Sequence, residues 1–181
     1  MKNHFEKFLR IISIGLVITI IQSSNIIKVF AEENERSLTI LFTHDMHDHF
    51  LPSKVKQDDK ILQLGGYAQL KSAIDAEKER DPNSILIDAG DFSMGTLFQS
   101  IYASDAPQLR ILGELGYDVT TLGNHEFDFR SEGLTKSLKA AVKSGDKLPQ
   151  IVQANMTFPK DNNGNLTESL SNLKEAAKEY G

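Results

Sequence analysis

The chain has 181 residues, a formal charge of −5, 40% hydrophobic and 25% charged residues, and neither Cys nor Trp. The length suits one domain, and the lack of Cys excludes a disulfide framework and any thiolate metal site. The acidic balance argues against nonspecific binding of a nucleic-acid polymer.

The first 31 residues read as a secretory signal peptide. Lys2, Lys7 and Arg10 form a basic start, Ile11 to Ile21 an apolar stretch of 11 residues, and Val29-Phe30-Ala31 a cleavage site with a small last residue. The stretch is shorter than the ~20 residues a membrane span needs. Cleavage after Ala31 is therefore expected, giving a secreted or cell-surface product with no stable membrane span. Residues 1–31 carry +3, which leaves −8 on residues 32–181. That charge does not exclude a small phosphorylated substrate, because bound metal ions reverse the local field.

Ser37 to Thr43 (SLTILFT) predicts a buried strand. His44 to Gln63 is predicted as a polar loop, and Tyr67 to Arg80 as a helix with Leu70, Ala73, Ile74 and Glu77 at helical spacing. Ser84 to Asp88 predicts a second strand and Gly90 to Gly95 a tight loop. Ala106 to Leu115 predicts a short helix with Pro107 in its first turn, ended by Gly116. Asp118 to Leu122 is the third strand. Ser131 to Ser144 is a helix with Leu134, Leu138, Ala141 and Val142 on one face. Gln150 to Ala154 is the fourth strand and Ser169 to Tyr180 the last helix. Strands alternating with helices imply a mainly parallel sheet flanked by helices.

Three of the four strands run into residues able to hold a metal. The first ends in His44, Asp45 and His47, the second in Asp88 and Asp91, the third in Asn124, His125, Glu126 and Asp128. Parallel strands deliver all three clusters to one edge, where α/β sheets bind ligands. Carboxylate, imidazole and amide together suit a two-metal hydrolytic site. Gly123 ahead of Asn124 suggests a turn that other residues resist. Asp88 reads as a strand-end hydrogen-bonding residue, and His44 and His49 as surface or supporting groups. Asp48 also reads as structural.

The segments Thr43-His44-Asp45-Met46-His47, Gly90-Asp91-Phe92-Ser93-Met94-Gly95 and Gly123-Asn124-His125-Glu126-Phe127-Asp128 together resemble the calcineurin-like metallophosphoesterase superfamily. Within it they are similar to the secreted 5′-nucleotidase and 2′,3′-cyclic-nucleotide phosphodiesterase branch. The resemblance covers residues 37–181 and implies the N-terminal half of an αββα sandwich. It implies two divalent ions (Mn, Zn, Fe or Co), the first held by Asp45 and His47, the second by Asn124, and both bridged by Asp91. His125 would act on the phosphoryl oxygen or leaving group, oriented by Asp128, while a hydroxide between the ions attacks phosphorus. The substrate would be a nucleotide or another phosphate ester.

The chain departs from the family's pattern in three ways. His44 stands where an Asn is usual, and Asp48 where a Gly is usual. No His follows His125, so the later histidine ligands expected of the family are absent, as is its C-terminal nucleotide-binding domain. Residues 32–181 are accordingly expected to be a partial domain. The alternative to an active phosphoesterase is an inactive N-terminal fragment of one.

Overall fold

The computed structural model describes residues 37–181, and the expected signal peptide lies outside them. The four expected strands form one sheet: β1 (Ile40–Thr43), β4 (Ile85–Asp88), β5 (Val119–Thr120) and β6 (Gln150–Ile151), in that spatial order. Every pairing is parallel, with Ile40 opposite Ile85, Ile87 opposite Val119, and Val119 opposite Gln150. The expected parallel sheet with flanking helices is thus the observed architecture.

The strands are shorter than expected at β1, β5 and β6, and β1, expected to be buried, alternates exposed and half-buried residues. The apolar character continues to Leu122 and Ala154, but the ladder ends where the chain turns away into loops. The larger correction concerns His44 to Gln63, which is not wholly a loop. It contains an antiparallel hairpin of β2 (Ser53–Gln57) and β3 (Lys60–Leu64), turning at Asp58-Asp59, with Val55 opposite Leu62 and Lys56 opposite Ile61. Lys54 and Lys56 disguise β2, because lysine is depleted in strands and reads as loop.

The helices are α1 (Tyr67–Arg80), α2 (Tyr102–Asp105), α3 (Pro107–Leu115), α4 (Arg130–Ser144) and α5 (Glu168–Tyr180). A short 3₁₀ turn, Leu97–Ile101, leads into α2. Pro107 opens α3, where its missing N–H costs nothing, and Gly116 closes it with φ 92°. α4 buries Leu134, Leu138 and Ala141, spaced four and three residues apart, and these meet Leu173 and Ala176 of α5. Val142, expected on that face, is 40% exposed instead, because it lies one residue round from Ala141.

Strand order follows chain order without reversal. Right-handed crossovers then put every connecting helix on the same face of the sheet. The packing agrees: α1 touches α3, α3 touches α4, and α4 touches α5. On the helix side Leu86 and Asp88 of β4 are buried. On the other side Ile40 and Phe42 of β1 are 51% and 69% exposed. Among the described residues, no helix is long and apolar enough to cross a membrane.

One-sided covering makes a direct prediction. Leu86→Ala should cost roughly 2–5 kcal/mol, as for a buried leucine. Phe42→Ala on the bare face should stay within about 0.5 kcal/mol. Urea unfolding of the two variants measures both.

Candidate metal centre

Each expected strand-end cluster lies at the carboxyl edge of the sheet. The chain leaving β1 does not swing free. Asp45 N–H donates to Gly90 O, His47 N–H to Asp91 O and Asp48 N–H to Phe92 O, each at 3.0 Å. The loops after β1 and β4 therefore run side by side beyond the strands. Asp45, His47, Asp48 and Asp91 adopt left-handed backbone, with φ of 51°, 46°, 42° and 52°. For residues with a Cβ this conformation costs about 1–2 kcal/mol. It recurs where a site must aim side chains.

The loop after β5 closes from the other side. His125 N–H donates to Asp91 Oδ1 at 2.9 Å. Gly123 lies hard against Asp91: a Cβ there would stand 2.1 Å from Asp91 Oδ1. Its φ is not left-handed. The glycine thus serves close approach between the loops rather than the special turn anticipated from sequence.

These contacts bring one nitrogen each of His47 and His125 and one oxygen of Asp91 within 4.8 Å of one another. Asp45 Oδ1 lies 3.6 Å from His47 Nε2. The His47 and His125 rings meet edge to face, with centroids 5.1 Å apart. Ligand atoms around a single ion at ordinary bond lengths lie roughly 3–3.5 Å apart, so the three groups border a space of the size a cation takes. The charge fits too: among the described residues, no Lys or Arg pairs with Asp45, Asp91, Glu126 or Asp128. Asn124 is exposed at the start of the turn His125–Phe127 and makes no side-chain capping bond. It is next to His125, whose N–H fixes the turn on Asp91.

His125 Nδ1 meets Asp128 Oδ2 at 3.0 Å. That hydrogen bond raises the imidazole above its ordinary value of 6.5, with the Asp128, Asp91 and Glu126 charges adding to the effect. It also leaves Nε2 as the free nitrogen. His44 is exposed, as expected, yet its Nδ1 bonds Asp45 Oδ2 at 2.5 Å and holds that carboxyl below its usual range. Asp88 is the strand-end anchor expected of it, accepting from Thr43 Oγ1 and Thr120 Oγ1 at 2.9 Å and from Gly90 N–H at 3.0 Å. The sequence counted Glu126 among the residues able to hold a metal, but both its oxygens are taken by hydrogen bonds. The structure buries it completely beneath the site.

The family model for calcineurin-like phosphoesterases matches residues 38–175. The chain belongs to the calcineurin-like phosphoesterase family. It is 36% identical over 109 residues to a 5′-nucleotidase of Rattus norvegicus, covering 59% of this chain and 19% of that protein. A probable 5′-nucleotidase of Treponema pallidum is 32% identical over 115 residues, covering 61% of this chain and 19% of its own length. Among solved structures, the 5′-nucleotidase precursor of Thermus thermophilus aligns with a TM-score of 0.57 and 30% identity, over 69% of this chain and 23% of that one. The chain spans about a fifth of the length of the curated relatives it matches.

The raised His125 value has a pH signature. Stabilisation by the Asp128 contact is complete below the unfolded value of about 6.5, and is lost as pH rises through the higher folded value. In metal-free protein Asp128→Asn should therefore lower the melting temperature most between about pH 5 and 6.5. The gap should close towards alkaline pH. The imidazole titration, followed by NMR, should move down in the same variant.

Proposed function

We propose that this chain carries the metal-binding core of a secreted 5′-nucleotidase-type phosphoesterase, acting on phosphate esters of nucleotides. The observation that carries the reading is the convergence of Asp45, His47, Asp91 and the His125–Asp128 pair at one sheet edge. It occurs in a member of a phosphoesterase family whose matched relatives include 5′-nucleotidases.

In this reading Asp45, His47, Asp91 and Asn124 would hold the divalent ions. Divalent ions at such a site lower the pKa of water and neutralise charge on a transferring phosphoryl group. The protein's own groups supply the rest. His125 uses Nε2 to donate to the phosphoryl or leaving-group oxygen, and the Asp128 carboxylate at Nδ1 favours the protonated ring. Asp128 fixes the ring and its tautomer through Nδ1. Export rests on the signal-peptide pattern of residues 1–31.

The donor census favours a second reading. Four donors shared between two ions give each about half a coordination shell. Histidines occur only at 4, 44, 47, 49 and 125. On this reading residues 32–181 alone bind metal weakly and release no phosphate, and turnover requires donors supplied from elsewhere.

An activity assay separates the two. The chain lacking residues 1–31 is given Mn²⁺ or Zn²⁺ and tested for phosphate release from AMP and for cleavage of bis-p-nitrophenyl phosphate. Metal-dependent turnover that falls by about 10²-fold or more in His125→Ala, the scale of a general acid, supports the first reading. No turnover with either metal supports the second.

A further inference from the structure

We propose that Glu126 is a positioning residue for the metal centre: its buried carboxylate clasps the two loops that carry Asp91 and the Asn124–His125 pair. The inference rests on the metal-site reading above and adds to it the element that fixes the site's dimensions.

Glu126 has no exposed surface, and both its oxygens are fully engaged. Oε1 accepts from Ser93 N–H at 3.0 Å and from Ser93 Oγ at 2.8 Å. Oε2 accepts from Asp91 N–H at 3.1 Å and from Gly123 N–H at 2.6 Å. One carboxylate thus spans the loop after β4 and the loop after β5. Its own carbonyl is held from a third side by the buried Tyr102 hydroxyl at 3.0 Å. Burial pushes the carboxyl up, and the four donated bonds oppose that. Among the described residues it has no cationic partner, so backbone and hydroxyl dipoles carry the compensation.

The geometry explains why the residue is Glu. Four converging donors require four acceptor positions, which an ionised carboxylate has and an amide lacks. In Gln the NH₂ would face two of the donors and leave them unpaired in a buried place. The clasp also explains how Asp91 keeps its left-handed backbone. Its N–H goes to Glu126, its C=O to His47 N–H and its Oδ1 to His125 N–H. Losing the first of these frees the loop to relax and lets the His47, Asp91 and His125 donor atoms spread. A buried carboxylate that merely filled space would have no such effect.

The test uses the full chain as wild type, Glu126→Gln, Ser93→Ala and Leu138→Ala, the last a core truncation in α4 outside the site. Metal-free amide exchange is read by NMR, and the Mn²⁺ dissociation constant by calorimetry. Glu126→Gln should speed exchange at Asp91, Ser93 and Gly123 by about tenfold or more relative to α4 amides. It should also weaken Mn²⁺ binding by about tenfold or more, the scale on which partners of metal ligands act. Ser93→Ala removes one bond of the four and should move both readouts the same way by a smaller factor. Leu138→Ala should lower the melting temperature and leave both local readouts in place. Wild-type exchange and affinity in Glu126→Gln overturn the proposal, as does an equal change of both in Leu138→Ala. If wild type binds no Mn²⁺, the metal-site reading falls, and the exchange results alone decide whether Glu126 clasps the loops.

Discussion

The pairing of β1 with β4 does not stop at the end of the strands, and the candidate site depends on that. Beyond Thr43 opposite Asp88, the ladder continues from Ala89 N–H to Thr43 O at 2.8 Å, then through Asp45, His47 and Asp48 onto Gly90, Asp91 and Phe92. Four of these residues carry left-handed backbone at about 1–2 kcal/mol each. Each interloop hydrogen bond returns about 0.5–1.5 kcal/mol net. The two sums are of similar size, so the ladder offsets most of the strain stored in these loops. Backbone geometry, more than side-chain rotamer choice, aims Asp45, His47 and Asp91 at a common point.

The sheet's order supplies the other half of the arrangement. Sequential parallel strands bring three chain segments to one edge and put the helices on one face. Behind the edge, Asp88 ties three strands together through Thr43, Thr120 and its own turn at Gly90. Tyr117 extends this network to Thr43 at 2.8 Å. Burial raises the Asp88 carboxyl, and the three accepted bonds oppose the rise. A polar network in this position sets the spacing of the strand ends in a way that apolar packing, which is non-directional, does not.

Much of this was legible in the residues. The apolar runs before Asp45, Asp91 and His125 placed three polar clusters at strand ends, helical spacing located α1 and α4, and Pro107 and Gly116 bounded α3. The rest was hidden for physical reasons. The β2–β3 hairpin carries lysines on a largely exposed ribbon, so it shows little of the apolar alternation that marks a half-buried strand. The segment Leu97–Asp105 folds into turns too short to display a helical period. Glu126 lies inside the motif that marked the site, yet its role is burial and hydrogen bonding. Only tertiary contact with Ser93 and Asp91, more than 30 residues away in sequence, reveals it. Gly123 was singled out correctly but for a different reason, since close approach between loops cannot be read from a single segment.

Two of the three departures expected from the resemblance, His44 and Asp48, lie beside the site and are held there by side-chain hydrogen bonds. Asp48 stands where the resemblance has Gly, in a left-handed conformation that Gly would adopt at no cost. The Asp is completely buried, and its carboxylate accepts from Thr96 N–H at 2.8 Å and from Gln108 Nε2 at 3.0 Å. Those bonds to a charged acceptor, at about 1.5–3 kcal/mol each, exceed the backbone strain and tie the loop after β1 to the 3₁₀ turn and α3. His44 acts on the exposed side of the same loop. It takes one oxygen of Asp45, leaving Oδ1 facing His47 at 3.6 Å. The carboxylate is thereby held in one orientation, with its free oxygen on the side where His47, Asp91 and His125 converge. Asp48 thus replaces backbone freedom with side-chain hydrogen bonds, His44 fixes the Asp45 carboxylate, and neither removes a donor from the cluster.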